Sequence, residues 1–256
     1  MSEISTYPLS AAIIVKNEAH NIQRCLESIR WIEDIVVFDT GSTDETVDLC
    51  QKFGCRVFEG EWKGFGPAKQ FAVSQTKYDW VFVIDADEVA SPELSETIRT
   101  VIMSPQAHGY RIRRLSYYLG KQIRHSGWNR DYTLRLFHKA HGFFNDKLVH
   151  EFVQIPSGKI EKIESPLYHF TYPDVNTHIR KIMRYTDLAA ESAIQQGSRA
   201  TLAGAFFRGI FKFLKMYLFQ AGFLDGEEGF ILSSVSSFGV FMKYVKIARR
   251  SQQKTI

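Results

Sequence analysis

The chain has 256 residues, 45% hydrophobic and 23% charged, which is enough to bury a full core in one large domain or one domain with an appendage. It contains no low-complexity segment and no repeat of 20–50 residues, which excludes disordered and repeat architectures. Its net charge of +4 is uneven: from Asp174 onward 12 Lys and Arg face 6 Asp and Glu, so we expect this part to face an anionic surface.

Short apolar runs alternate with helical patterns through the first hundred residues. The predicted strands are 11–15, 35–38, 56–58 and 80–84. The predicted helices are 19–29, 42–53 and 67–75. A capping box at Ser42-Thr-Asp-Glu45 opens the second of them, which ends at Phe53. Near-continuous apolar strands between helices predict an α/β fold with a parallel sheet covered on both faces.

Polar residues follow three of these strands directly. Strand one leads into Lys16-Asn17-Glu18, strand two into Asp39-Thr-Gly-Ser42, and strand four into Asp85-Ala-Asp87-Glu88. Ligands collect at the carboxyl ends of parallel strands, so we expect these residues to line one crevice. The alternative is that each acid only caps a turn or helix.

The three acids after strand four repel one another unless a positive group lies among them. Asp85 and Asp87 flank one residue and can face the same point. Oxygen ligands suit Mg²⁺ or Mn²⁺, which also bind substrate phosphates. We therefore expect a divalent metal here that holds a diphosphate.

Three motifs in this order and spacing resemble a family 2 glycosyltransferase with the GT-A fold. They are Ile14-Val-Lys-Asn-Glu18, Val37-Phe-Asp-Thr-Gly-Ser-Thr-Asp-Glu-Thr46 and Val83-Ile-Asp-Ala-Asp-Glu88. The resemblance covers about residues 9–170. Gly222-Phe-Leu-Asp-Gly226 and Gly229, after a basic and aromatic helix, are similar to bacterial lipopolysaccharide inner-core glucosyltransferases.

This resemblance implies a role for each matching position. Glu18 and Asp39 would line the nucleotide base and ribose, and Lys69 would lie next to the nucleotide. Asp85 would contact the ribose or the metal, and Asp87 would bind the metal. Many relatives have a second Asp where this chain has Thr40, and that Asp commonly recognises uracil; a UDP-sugar is still the favoured donor.

Other nucleotide-binding motifs do not fit. No G-x-x-x-x-G-K-[ST] is present, and Gly64-Phe-Gly66 lacks the third glycine and the preceding long strand of a dinucleotide fingerprint. A sugar-nucleotide pyrophosphorylase would need a basic, glycine-rich loop after strand one.

The reaction also needs a base that accepts the proton of the acceptor hydroxyl. The family base is an acid in the region after residue 110, and we assign it to Glu151 in Lys147-Leu-Val-His-Glu-Phe152. Asp131, next to Trp128, is the second candidate. An ordinary structural Glu at the end of a strand is the alternative for Glu151.

His169 lies in an aromatic segment, where a histidine is usually part of the core. GT-A enzymes often complete the metal shell with a histidine from just after the catalytic domain. The resemblance therefore offers His169 as a third metal ligand, with a core position as the alternative.

Between residues 110 and 135, seven basic residues accompany one acid and several aromatic rings. Cations suit phosphates or carboxylates of a sugar, and rings suit its faces. We assign Trp128, Arg130 and Arg135 to an anionic acceptor. RNA binding is a competing use of such a mixture.

The segment 203–223 is strongly apolar but carries Arg208, Lys212 and Lys215 on one stripe. Three charges would be costly across a bilayer core, whereas they suit a helix that lies in the interface. A second basic run, 243–250, would be attracted to anionic lipid. The alternative is packing against the catalytic domain or within an oligomer.

Together these features predict a catalytic domain at 1–173 and a basic, helical, membrane-associated region at 174–256. The catalytic domain would comprise a nucleotide-binding part at 9–105 and an acceptor part at 106–173. Met1–Pro8 lacks the features of a signal peptide, and three unpaired cysteines indicate a reducing compartment, so we expect the cytoplasmic face of the membrane.

The predicted activity is metal-assisted, inverting transfer of a hexose such as glucose to a lipid-linked saccharide. Transfer to a polyprenyl phosphate or a protein side chain on the same fold is one alternative. A non-catalytic protein that binds anionic membrane or RNA is another. Fold alone does not separate them.

Overall fold

Strands and helices alternate through the first hundred residues of the computed structural model, which describes residues 7–128, 131–145 and 151–253, with side chains up to 250. The strands are β1 Leu9–Val15, β2 Asp34–Asp39, β3 Arg56–Glu59, β4 Trp80–Val83 and β5 Glu88–Ala90. The helices are α1 Ala19–Ser28, α2 Thr46–Phe53, α3 Phe65–Ser74 and α4 Pro92–Met103. Each strand and helix predicted for this part is present, although α2 begins at Thr46 and not at the predicted capping box.

The next part of the chain consists of strands. They are β6 Gly109–Tyr118, β7 Lys121–Gln122, β8 Asp131–His138, β9 Phe143–Phe144, β10 Val153–Gln154 and β11 Ile160–Tyr172. β6, β7, β8 and β11 extend the sheet, whose order is β3-β2-β1-β4-β8-β6-β11-β5 with β7 paired to β6, whereas β9 and β10 form a separate two-stranded sheet. The pairs among β1 to β4 are parallel, whereas β4–β8, β6–β8 and β5–β11 are antiparallel.

The parallel strands are buried on both faces, as their apolar composition predicts. Every residue of β2 and β4 is buried. One core lies between the sheet and helices that include α1 and α4, with Leu26 and Ile98 inside it. A second core includes Ala72 of α3. The sheet therefore holds the carboxyl ends of its central strands at fixed positions.

The predicted capping box at Ser42–Glu45 is not formed. Helix α2 begins only at Thr46, and Glu45 makes no capping bond through its side chain. Asp44 Oδ1 accepts instead from the Thr46 backbone N–H at 3.1 Å. Ser42 is used elsewhere, because its hydroxyl donates to Asp39 Oδ1 at 2.5 Å.

The chain divides into two compact units. The first comprises the described residues of Met1–Arg114 and Asp131–His169, and the second those of Leu115–Arg130 and Phe170–Ile256. Segment 115–130, which the sequence assigned to the catalytic domain, thus groups with the C-terminal helices. The predicted domain boundary at 173 stays a prediction.

The second unit is built mainly of helices. They are α5 Val175–Gln195, α6 Leu202–Leu214, a π-helical segment Lys215–Phe219, a 3₁₀ turn Gly222–Asp225 and α7 Gly226–Gln253. Lys246 of α7 donates to Thr186 Oγ1 of α5 at 2.8 Å. Gly222–Arg250 is long and apolar enough to cross a bilayer, a test that core helices of soluble proteins also pass.

Asp225 explains why 115–130 belongs to the second unit. Its buried carboxylate accepts from the backbone N–H groups of Arg124 and His125, both at 3.0 Å, and from the Ser126 hydroxyl at 3.2 Å. Four residues later, a Cβ on Gly229 would lie 2.0 Å from the Gly222 carbonyl oxygen. Asp225 therefore fixes residues 124–126 against the 3₁₀ turn, and Gly229 allows α7 to pack closely against the same turn.

Candidate active site

Polar side chains join the loops that follow β1 and β2. The Asn17 backbone N–H donates to Ser42 Oγ at 2.9 Å, and Asn17 Oδ1 accepts from Thr43 N–H at 2.7 Å. Asp39 accepts from the N–H groups of Gly41 and Ser42, both at 2.9 Å. Since Asp39 is only 2% exposed, its carboxylate closes this turn from inside. Its contact with a ribose stays a prediction.

Glu18 lies just before α1, beside the same turn. Its backbone N–H donates to Thr46 Oγ1 at 2.8 Å, and its carboxylate accepts from Asn21 at 2.8 Å. The β1–β2 register pairs Val15 with Asp39, so the strand ends that carry Glu18 and Asp39 are neighbours. The expected grouping of these two residues thus agrees with the register, while nucleotide binding by Glu18 stays a prediction.

Two buried cations lie among the acids that follow β4. Lys69 Nζ of α3 is 2.8 Å from Asp85 Oδ1, and Arg135 of β8 donates to Asp85 Oδ2. Arg135 is 4% exposed. Protein side chains therefore supply the positive charge that the sequence had assigned to a metal at Asp85. The predicted contact of Asp85 with ribose or metal stays a prediction.

These ion pairs keep Asp85 and Arg135 charged. Burial acts to raise the pKa of Asp85, but Arg135 and Lys69 hold that pKa well below its usual range. Burial acts to lower the pKa of Arg135, but Asp85 and Glu88 raise it above its ordinary value. A buried ion pair of this kind requires both partners, because either charge alone would be costly to bury.

Glu88 is a residue of this cluster to which the sequence assigned no role. It is fully buried, its Oε2 accepts from the Asp85 backbone N–H at 2.9 Å, and its Oε1 accepts from Arg135 at 2.6 Å. The signal was the third acid in Asp85-Ala-Asp87-Glu88, since a buried carboxylate needs a cationic partner. Glu88 therefore fixes the turn that carries Asp85 and Asp87.

The charges continue as far as Asp131. Arg114 of β6 donates to Glu88 Oε1 at 3.3 Å and, through Nε, to Asp131 Oδ2 at 2.7 Å. A second Arg114 nitrogen also donates to Asp131 Oδ2. We call the whole series the ion-pair chain; its members in order are Asp131, Arg114, Glu88, Arg135, Asp85, Lys69 and Glu151.

Glu151 and Asp131, the two candidate bases, lie at opposite ends of the ion-pair chain. Glu151 Oε1 accepts from Lys69 Nζ at 2.9 Å. Glu151 is thus bonded by one flexible ammonium, that of Lys69. Asp131 is bonded by two nitrogens of the planar Arg114 guanidinium. His150, the neighbour of Glu151, is outside the described residues.

Strand pairing brings His169 close to Asp87 of the predicted metal-binding motif. The antiparallel β5–β11 register pairs His169 with Glu88 and Tyr168 with Val89. His169 Nε2 is consequently 3.4 Å from Asp87 Oδ2. The sequence alone gave no distance between these two residues, which are far apart along the chain.

Asp87 and His169 fit a divalent cation that shares its shell with a substrate. Mg²⁺ and Mn²⁺ sites often use one or two protein ligands together with waters and phosphate oxygens. Within the described part of the chain, no group of three or more His, Cys, Asp and Glu side chains has the geometry of a metal site. The pair would therefore need the diphosphate to complete the site.

The predicted acceptor residues have different surroundings. Trp128 is half-buried and packs edge-on to Tyr118, with ring centroids 6.3 Å apart. Arg130 is outside the described residues. Arg135 is buried in the ion-pair chain, so it supports the Asp85 turn, and its role in acceptor binding stays an untested prediction.

The second unit exposes a large set of apolar side chains. Phe207 is 67% exposed, Phe219 77% and Leu224 61%. We define the C-terminal apolar surface by its exposed members, which are Phe206, Phe207, Ile210, Phe211, Leu218, Phe219, Phe223 and Leu224. Exposed apolar side chains in such numbers point to an interaction site where they form a patch.

The basic stripe predicted from the sequence belongs to the same helical segment. Arg208 stacks over the Tyr244 ring at 4.5 Å. Burial lowers the pKa of the half-buried Lys212, and the neighbouring charge of Lys215 lowers it further. Among the residues with described side chains, no carboxylate forms a salt bridge with any of the three.

Comparison with solved structures shows the fold. The S. aureus TarS 1-349 structure in complex with UDP has a TM-score of 0.51 and 13% identity, and the match covers 96% of this chain and 91% of that chain. The present chain thus has an α/β fold of the GT-A type, as the sequence predicted.

Sequence comparison shows the family. Residues 10–157 match the family described as Glycosyl transferase family 2, so the chain belongs to that family and is a glycosyltransferase. It is 30% identical to the lipopolysaccharide core biosynthesis glycosyltransferase LpsC of Rhizobium meliloti (strain 1021), over 98% of this chain and 96% of LpsC. It is 29% identical to an uncharacterized glycosyltransferase of Rickettsia bellii (strain RML369-C), over 99% of this chain and 90% of that protein.

Proposed function

We propose that this glycosyltransferase moves a hexose such as glucose from a UDP-sugar to a hydroxyl of a lipid-linked saccharide, the lipopolysaccharide inner core, with inversion. The name of LpsC supports the acceptor, because the likeness extends over nearly the full length of both chains. The UDP bound by TarS agrees with the favoured donor.

The 3.4 Å approach of His169 to Asp87 is the observation that carries this proposal. It joins an imidazole and a carboxylate beside the carboxyl end of β4, where ligands collect in sheets of this kind. Asp87 and His169 would hold the divalent metal. When bound, the metal offsets the negative charge that grows on the departing diphosphate.

Glu151 is the base in this proposal. It accepts the proton of the acceptor hydroxyl while the hydroxyl oxygen forms a bond to the anomeric carbon of the donor. The bond from that carbon to the diphosphate oxygen breaks, and the nucleoside diphosphate leaves. One displacement of this kind inverts the anomeric centre. Asp131 is the weaker candidate because Arg114 already occupies one of its oxygens with two nitrogens.

A thermal-shift screen tests the donor and the metal. UDP-, GDP- and ADP-sugars would be added with and without Mn²⁺, because a bound ligand raises apparent stability. We expect a UDP-sugar to stabilise the wild type in a Mn²⁺-dependent manner and Asp87→Ala to lose the Mn²⁺-dependent part. An equal response of the variant would remove Asp87 from the metal site.

The acceptor is further supported by the C-terminal apolar surface and its basic stripe. A lipid-linked saccharide is reached at a membrane, and exposed Phe and Leu side chains can enter the interface while Arg208, Lys212 and Lys215 meet anionic headgroups. We therefore propose a peripheral position on the cytoplasmic face of the membrane. Assay of sugar transfer to truncated lipopolysaccharide, a polyprenyl phosphate and a peptide would separate the acceptor classes.

A further inference from the structure

Lys69 occupies a place where a lysine needs a specific reason. It lies on the inner face of α3, among Gly66, Ala68, Ala72 and Val73, and is 5% exposed. An isolated ammonium would be costly there, so paired carboxylates must compensate it. Those partners are Asp85 at 2.8 Å and Glu151 at 2.9 Å.

Helix α3 holds the segment around Glu151 at a second point. The neighbouring residue Gln70 accepts through Oε1 from the Phe144 backbone N–H at 2.8 Å. Phe144 belongs to β9, which pairs with β10, the strand that begins two residues after Glu151. Lys69 Nζ also lies 5.9 Å from the centre of the Phe144 ring. Two consecutive residues of α3 thus contact Phe144 of β9 and Glu151, which lies two residues before β10.

We propose that Lys69 is a positioning residue that holds the base Glu151 beside the donor-side acid Asp85; this rests on the proposed function, in which Glu151 is the base. One nitrogen bonds both carboxylates, so the position of the base is tied to the turn that carries Asp85 and Asp87. Without the ammonium, the two carboxylates would repel each other and Glu151 would leave its position.

The alternative role for Lys69 is the one predicted from the family, contact with the nucleotide. The two roles differ in kinetics. Loss of a nucleotide contact weakens donor binding, whereas loss of a positioning contact lowers kcat and leaves donor binding in place. A displaced base costs on the order of 10²-fold, the loss that about 1 Å of misplacement produces.

A double-mutant cycle tests the proposal. Lys69→Met, Glu151→Gln and the double variant would be compared with the wild type for turnover of UDP-glucose with truncated lipopolysaccharide, and for UDP affinity with Mn²⁺ by calorimetry. We expect Lys69→Met to lower kcat about 10²-fold with UDP affinity kept. The double variant should be no slower than Glu151→Gln, because residues that act as a unit are not additive.

Two further variants complete the set. Lys139→Met is the matched control, since Lys139 is a lysine of the same unit whose Nζ donates to the Thr76 carbonyl at 2.9 Å; its kcat and UDP affinity should stay at wild-type values. Lys69→Arg keeps the cation and should recover part of the kcat lost in Lys69→Met. Lys69→Arg also serves as the test if Lys69→Met does not fold.

The outcomes distinguish the positioning role of Lys69 from the assignment of Glu151 as the base. Multiplied losses in the double variant, or weaker UDP binding with unchanged kcat in Lys69→Met or Lys69→Arg, would overturn the positioning role of Lys69 and leave Glu151 as the base. Wild-type turnover in Glu151→Gln would instead overturn the base assignment in the proposed function.

Discussion

The ion-pair chain of the first unit and the basic stripe of the second differ in how their charges are paired. In the first, seven charged side chains of the ion-pair chain alternate in sign and bond one another. In the second, Arg208, Lys212 and Lys215 lie among exposed aromatic rings, with no carboxylate bonded to them among the described side chains. The charges of the ion-pair chain are compensated internally. Arg208, Lys212 and Lys215 have no such carboxylate among the described side chains, although other charges of the second unit, such as Lys246 and Asp187, do pair with one another.

The two kinds of charge have different effects: paired charges position side chains, and unpaired charges attract ligands. A buried, fully paired charge adds little attraction for a ligand, because its field is compensated by its neighbour, but it fixes the position of side chains. An unpaired surface cation fixes little and attracts anions over about a Debye length. We therefore expect changes in the ion-pair chain to alter catalysis and stability, and changes in the basic stripe to alter membrane binding.

The largest effect is expected at Glu151, which is one end of the ion-pair chain. Glu151→Gln keeps the shape of the side chain and removes its ability to accept a proton. Turnover should fall by roughly 10²–10⁴-fold while the donor still binds, as is typical for a lost general base. Steady-state kinetics with a UDP-sugar and truncated lipopolysaccharide measures this.

Asp131→Asn is the matched control for Glu151→Gln. Asp131 is at the other end of the ion-pair chain and is gripped by Arg114, so we expect a much smaller loss of turnover. A collapse of turnover in Asp131→Asn alone would move the base to Asp131.

The sequence offered Glu151 and Asp131 as candidate bases, but it did not show that Lys69 bonds the first and Arg114 the second. The sequence predicted that Glu18, Asp39 and Asp85 lie close together. Local apolar periodicity indicates the strands, and parallel strands bring their carboxyl ends to the same edge of a sheet. The contact of Arg135 with Asp85 depends on an antiparallel β4–β8 pairing between distant segments. Nothing local in the sequence specifies such a register.

The next effect is on stability. Arg135→Met would leave Asp85 without one cation and the fully buried Glu88 without its closer one, and breaking a buried pair typically costs about 3–5 kcal/mol of unfolding free energy. Urea titration measures this. Lys77→Met, which breaks the exposed pair with Glu33, should change the unfolding free energy little. Equal losses in both variants would show that the ion-pair chain does not hold the first unit together.

A smaller effect is expected on membrane binding. Each basic residue near an anionic surface contributes on the order of 1 kcal/mol. Replacement of Arg208, Lys212 and Lys215 by Gln should therefore weaken binding to anionic vesicles by about 3 kcal/mol at most, and high salt should weaken the wild type similarly. Donor hydrolysis should be nearly unchanged. Vesicle flotation measures binding.

The apolar side chains of the same segment provide the control. Phe219→Ser removes an exposed ring and leaves the charges, so its loss of vesicle binding should depend little on salt. If the wild type floats equally on neutral and anionic vesicles, or on neither, the basic stripe does not bind headgroups. The sequence predicted one helix over 203–223, whereas α6 ends at Leu214 and is followed by the π-helical segment and the 3₁₀ turn, for which no local pattern was recognised.

The smallest effect concerns a buried group of the second unit that is kept neutral instead of paired. His178 bonds the Tyr118 hydroxyl through Nδ1 at 2.9 Å and stacks on Tyr172, and burial lowers the pKa of His178 to about 4, with Lys181 acting in the same direction. An unfolded histidine has a pKa of about 6.5, so the unfolded chain binds the extra proton between these two values. Stability from this group is therefore complete above about pH 6.5 and is lost as the pH falls toward 4. Between pH 7 and pH 5 we expect a loss of about 2 kcal/mol in the wild type, and His178→Gln, which does not titrate, should lack this part of the pH dependence. Urea titrations of both proteins at the two pH values measure the difference, and parallel pH slopes would show that the pKa of His178 is not lowered in the folded protein.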